Sequence, residues 1–162
     1  MIFFIYSIVV PVVLFTFLPI FFSRYLRKTA KARWVLGVAC LLFSVSWYLP
    51  SPLIYGQETQ FSTHFIGGGV FTGLLWLYIK REFKWRSVWW IELWSLYCLV
   101  SALGVANELF EFTVAQAGLA TITSFDTWWD LFANTSGVVV FWIIYAVYQL
   151  LHSGKKGKTS IF

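Results

Sequence analysis

The chain alternates between long apolar runs and short polar segments. Five apolar runs occur, at 2–22, 34–49, 61–79, 88–112 and 128–151. About 20 apolar residues in a helix span the roughly 30 Å hydrocarbon core of a bilayer. The pattern predicts an all-α fold, a polytopic transmembrane helical bundle of five spans within a single domain at 1–152. A short basic tail at 153–162 follows it.

The positions of the basic residues predict the orientation of these spans. All 12 lysines and arginines lie in three segments: the first loop, the third loop and the C-terminal tail. Five spans place these segments on one side, and lysine and arginine are enriched in cytoplasmic loops. The N-terminus is therefore expected outside and the C-terminus inside, in the inner or plasma membrane of a prokaryotic cell.

Composition supports this class of protein and excludes others. Hydrophobic residues make up 59% of the chain and charged residues 12%, whereas soluble domains carry about 25% charged residues. The net charge of +5 is explained by the basic cytoplasmic segments, so a nucleic-acid partner is not expected. Cys40 and Cys98 each lie inside an apolar run, and their spacing forms neither a disulfide framework nor a metal motif.

Most acidic residues are expected at the outer boundary of the membrane. At a rise of 1.5 Å per residue, a helix that starts at Val88 has climbed about 30 Å at Glu108. Counted back from Leu151, Asp130 lies about 31 Å up the last span. His64 is near the outer start of the third span. Three spans therefore carry polar groups to one level.

The spacing of these polar residues predicts that they face one another. Glu108 and Glu111 are three residues apart, and Asp126, Asp130 and Asn134 follow one helical stripe. Polar groups that face lipid are costly, so the stripe is expected to point inward. The predicted ligand-binding site consists of His64, Glu108, Glu111, Asp126, Asp130 and Asn134.

Three interpretations of this site stay open. A divalent cation would be held by carboxylates and imidazole, with His64, Glu108, Glu111 and Asp130 as candidate ligands. Acid–base chemistry, in catalysis or in transport, would use candidates among His64, Glu108 and Asp130. A hydrogen-bonded polar layer would fix only the helix register. No basic residue is close by, so a phosphate group would need a bridging metal, and a positively charged ligand would not.

Two acids and a glycine cluster are expected to be structural. Glu82 is predicted to pair at the surface with inner basic residues, and Glu92 to reach Arg86 or the membrane interface. The Gly69-x-x-x-Gly73 spacing follows the small-xxx-small pattern, which predicts a close helix contact.

The chain resembles VanZ-like membrane proteins over roughly residues 61 to 148. The closing motif of that family, Asp-x-x-x-Asn-Thr-x-Gly, is matched by Asp130, Asn134, Thr135 and Gly137. The pair His64-Phe65 is similar to the His-Phe pair of the family, and Glu108 to its glutamate on the penultimate helix.

Two further patterns favour a related group. Glu108-x-x-Glu111 and Asp126-Thr127-x-x-Asp130 look more like the YjdF-like inner-membrane proteins. The resemblance implies a small integral membrane protein of the cell envelope, with membrane lipids as neighbours.

The leading hypothesis is binding of an envelope or lipid-linked ligand, or of a cation, at an outer-leaflet site of acids and histidine. One alternative is an intramembrane enzyme, with or without a metal, that acts on envelope lipids. Others are a non-catalytic assembly subunit and a small transporter. A non-enzymatic role is favoured, and homo-oligomerisation stays open.

Overall fold

The computed structural model of the protein describes residues 2–26, 32–54, 56–119 and 124–153. Four helices are α1 (Ile2–Tyr25), α2 (Arg33–Ser46), α5 (Trp89–Gln116) and α6 (Ser124–Ser153). Between α2 and α5, three segments run without a break: α3 (Phe61–Thr63), a π-helical segment (His64–Val70) and α4 (Phe71–Phe83). We call this continuous unit the third helix.

The five apolar runs of the sequence coincide with these five helical segments, but several boundaries differ. Helix α5 continues to Gln116 instead of ending near 112, and α6 begins at Ser124 instead of 128. Helices α1, α5 and α6 are long and apolar enough to cross a membrane, whereas α2 has 14 residues. Of the predicted tail at 153–162, Ser153 is the last residue of α6, and the rest lies outside the described residues.

A small β-hairpin follows α2, which the expectation of an all-α fold did not include. Strands β1 (Leu53–Ile54) and β2 (Gln57–Glu58) pair in antiparallel register, Leu53 with Glu58. Pro50 and Pro52 precede the hairpin and disfavour helix. Gly56 adopts a φ of 76°, the left-handed conformation that a tight turn requires.

The third helix is the centre of the bundle. It packs against α2 on one side and against α6 on the other, while α1 packs on α2 and α5 on α6. One core joins the first three helices and includes Val35, Leu36 and Tyr78. A second core joins α4, α5 and α6. The outward faces remain apolar, as expected of helices surrounded by lipid.

The third helix and α6 approach each other closely between glycines. A Cβ atom built on Gly69 would lie 2.6 Å from the Cα atom of Gly137 on α6, closer than real Cβ contacts come. Gly73, one turn further, lies against the ring of Phe141. The predicted packing role of these two glycines is confirmed, and their partner is α6.

The close contact of Gly69 with α6 predicts that a larger side chain at Gly69 destabilises the protein. Gly69→Ala should lower the free energy of unfolding by about 1–3 kcal/mol, the usual cost of overpacking. Gly104→Ala is the matched control, because its new Cβ atom would meet Asn134 and Leu131 at an ordinary 3.4 Å. Thermal unfolding in one detergent would compare the two variants. Equal midpoints would contradict the close contact.

Candidate polar site and cavity

An imidazole–carboxylate pair lies between the third helix and α6. His64 Nε2 is 3.3 Å from Asp130 Oδ1, and both side chains are buried. His64 begins the π-helical segment, whose wider turns change the direction in which successive side chains point. Such segments frequently occur at functional sites. The sequence predicted a helix here but not its π-helical part.

Helix α5 brings two more carboxylates to this pair. One oxygen atom each from Glu108, Glu111 and Asp130 lies within 4.8 Å of the others. A single divalent cation holds oxygen ligands at about 2.0–2.6 Å, which this spacing permits. Among the described residues, His64 is not one of the side chains that meet this spacing. His64 contacts this group of carboxylates through its member Asp130.

A chain of hydrogen bonds connects the carboxylates to α1. Asn107 Nδ2 donates to Glu111 Oε1 at 2.8 Å, as their spacing of four residues suggests. The hydroxyl of Tyr6 donates to Asn107 Oδ1 at 3.4 Å. Tyr6 is not among the site residues predicted from the sequence. Its signal would have been the adjacent polar pair Tyr6-Ser7 within an otherwise largely apolar run.

A cavity of about 370 Å³ opens beside this network. Its polar wall is formed by Tyr6, Thr63, His64, Asn107 and Asn134. The remaining surface is mostly apolar and comes from all of the first three helices and from α5, with side chains such as Val10, Leu14, Leu75 and Val100. Sites for small molecules enclose about 300–1,000 Å³ and combine an apolar lining with a few polar groups. The cavity has the volume and the lining of such a site.

Asn134 is held in the wall by a glycine on the opposite helix. Its side chain is buried, and its amide oxygen packs against the bare Cα atom of Gly68. A Cβ atom at Gly68 would overlap that amide. Gly68, the neighbour of Gly69, therefore accommodates a side chain of the site.

Of the six predicted site residues, five meet at this end of the bundle. They are His64, Glu108, Glu111, Asp130 and Asn134. Asp126 lies in the first turn of α6, but its side chain is outside the described residues. The predicted stripe is therefore present from Asp130 to Asn134.

At the opposite end of the bundle, the prediction for Glu82 is wrong. This side chain is 6% exposed and accepts a hydrogen bond of 2.8 Å from the backbone N–H of Ala32, just before α2. The first N–H groups of a helix lack intrahelical partners. Glu82 therefore ties α4 to the start of α2 instead of pairing at the surface.

Glu92 has the predicted structural role but a different partner. It forms an ion pair with Lys80 instead of reaching Arg86, and it accepts a hydrogen bond from Ser87. Lys80 also donates to the hydroxyl of Tyr145 at 2.9 Å and lies over the Trp76 ring. The pair joins α4, α5 and α6. Because 19 residues separate Glu92 from Glu111, the two polar ends lie about 28 Å apart along α5.

Comparisons with protein-family models, curated proteins and solved structures gave no match. The resemblance to VanZ-like and YjdF-like proteins stays a prediction from the motifs.

The ion pair of Lys80 and Glu92 allows a test of buried charge. Lys80→Met should destabilise the protein by about 3 kcal/mol, because Glu92 would remain as an uncompensated buried charge. The double variant with Glu92→Leu should recover most of that loss. Arg81→Met, at the exposed next position, should cost less than about 1 kcal/mol. Unfolding in mixed micelles measures the stability lost in each of the three variants. Equal losses in Lys80→Met and Arg81→Met would contradict a buried ion pair.

Proposed function

We propose that the chain is a five-span membrane protein with its N-terminus outside. Three helices long and apolar enough to cross a membrane support a membrane location. The separation of about 28 Å between the two polar ends is close to the thickness of a hydrocarbon core. In this topology Lys80 lies near the cytoplasmic surface and His64 near the outer one.

We propose further that the protein binds an envelope or lipid-linked amphipathic ligand in its outer half. The observation that carries this proposal is the cavity, which joins a polar wall to an apolar interior. The polar part of a ligand would contact His64, Asn107 and Asn134. Its apolar part would lie deeper, between the helices.

The residues that match the VanZ-like motifs lie in the same region of the bundle. Asp130 contacts His64, and Asn134 lines the cavity. Gly137 lies at the close contact of α6 with the third helix. The proposed family membership and the proposed cell-envelope role rest on these positions. A divalent cation at Glu108, Glu111 and Asp130 stays a prediction beside the ligand.

A variant that fills the cavity tests the binding proposal. Gly104 lines the cavity, so Gly104→Leu should remove most co-purified lipid, as the added side chain occupies its space. Ala102→Leu is the control, because Ala102 is exposed on the same helix and is not part of the lining. Native mass spectrometry after mild detergent extraction measures bound lipid. Equal retention in both variants, or no lipid in the wild type, would refute the proposal.

An intramembrane enzyme is the second candidate function. The observation that favours it is His64, which lines the cavity while Asp130 contacts its Nε2 atom. A carboxylate in this position orients a histidine that acts as a general base.

This alternative has its own test. An enzyme should convert a component of an envelope lipid extract. His64→Gln should abolish the conversion while its thermal unfolding stays similar to that of the wild type. Mass spectrometry of the extract, with and without added divalent cations, measures the products. An extract that stays unchanged with the wild-type protein would count against an enzyme.

A further inference from the structure

Three acidic side chains lie behind the polar wall of the cavity. Asp130 contacts His64, and Glu111 accepts the hydrogen bond of Asn107, so two wall residues are each backed by a carboxylate. Glu108 is the third acid, within the same 4.8 Å group. The wall therefore combines hydrogen-bonding atoms with a group of acids whose charge can be balanced by a shared cation.

The described basic residues lie at the other end of the bundle. Arg24 is in the last turn of α1 and Arg33 begins α2. The remaining ones are at or just after the end of α4: Lys80, Arg81, Lys84 and Arg86. Along α1, Arg24 is about 27 Å from Tyr6. Charge at the wall therefore favours a cationic group, since opposite charges attract strongly where water is excluded.

The apolar part of the cavity lies between two helices that do not pack closely. In the described residues, no Cα atom of α1 comes within 8 Å of one in α5. Val10 on α1 and Val100 on α5 both line the cavity. At the polar end the two helices are joined through side chains, where the rings of Tyr6 and Phe110 stack at 5.0 Å. The gap between α1 and α5 has room for an alkyl chain.

We propose that the cavity binds a membrane lipid with an amine-bearing head group. The inference rests on the proposed binding function and names the class of ligand. The chain of the lipid lies between α1 and α5. Its ammonium group faces the wall, where it donates a hydrogen bond to Asn107 Oδ1 and is attracted by the carboxylates behind the wall. An anionic lipid has no such cationic group to offer the carboxylates.

The head-group preference is tested by competition. The protein is reconstituted in vesicles of equal parts phosphatidylethanolamine and phosphatidylglycerol with identical chains, extracted mildly and examined by native mass spectrometry. We expect phosphatidylethanolamine to be enriched about tenfold among bound lipids, which corresponds to 1.4 kcal/mol of differential binding free energy. Glu111→Gln should reduce this enrichment severalfold, because it removes one charge and keeps an acceptor for Asn107. Arg86→Gln, a charge change at the opposite end, should leave it unchanged.

The proposed position of the lipid's alkyl chain is tested by a pair of neighbouring variants. Val10→Trp should displace the lipid, since Val10 lines the cavity, whereas Val9→Trp should not, since Val9 is exposed and outside the lining. Equal loss of bound lipid in both variants would overturn the proposed position of the alkyl chain. Equal amounts of the two bound lipids, with binding still sensitive to Gly104→Leu, would overturn the amine inference alone. Absence of any bound lipid would overturn the proposed function as well.

Discussion

The contact between the third helix and α6 is the constraint on which the rest of the structure depends. Gly69 and Gly137 bring two backbones to a distance that no other residue type permits. This proximity sets His64 beside Asp130 and lets Asn134 pack over Gly68. In a membrane, where lipid tails are as apolar as the side chains, close packing of small residues is a main source of helix association. The same contact therefore provides cohesion and aligns the polar groups.

Charge is distributed unequally between the two ends of the bundle. At one end Lys80 neutralises Glu92, and Glu82 binds a backbone N–H group, so the acids there have structural partners. At the other end Asp130 lies against an imidazole and close to two further carboxylates. Buried acids close together bind protons or share a cation unless basic residues neutralise them. The two ends therefore differ in how their acids are compensated, which supports the proposal of a ligand at the end that contains His64.

The cavity connects the polar end to the apolar interior of the bundle. It adjoins the polar end but extends along apolar side chains of α1 and α5, two helices whose backbones stay apart. An amphipathic molecule satisfies both surfaces at once. A small ion would satisfy the carboxylates and leave the apolar part unfilled. This combination supports the proposed ligand with an alkyl chain, whose polar group would be selected by the acids behind the wall.

Much of this arrangement follows from the sequence, because periodicity and depth along a helix are local properties. Runs of apolar residues predicted the five helical segments, and the spacing of Glu108, Glu111, Asp130 and Asn134 predicted a polar layer at one level. Helical spacing does not show which side chain contacts a residue of another helix. The burial of Glu82, the pairing of Lys80 with Glu92, the π-helical turn at His64 and the participation of Tyr6 depend on neighbours distant in sequence. Only the tertiary structure decided them, since a cavity and an ion pair exist only where separate helices meet.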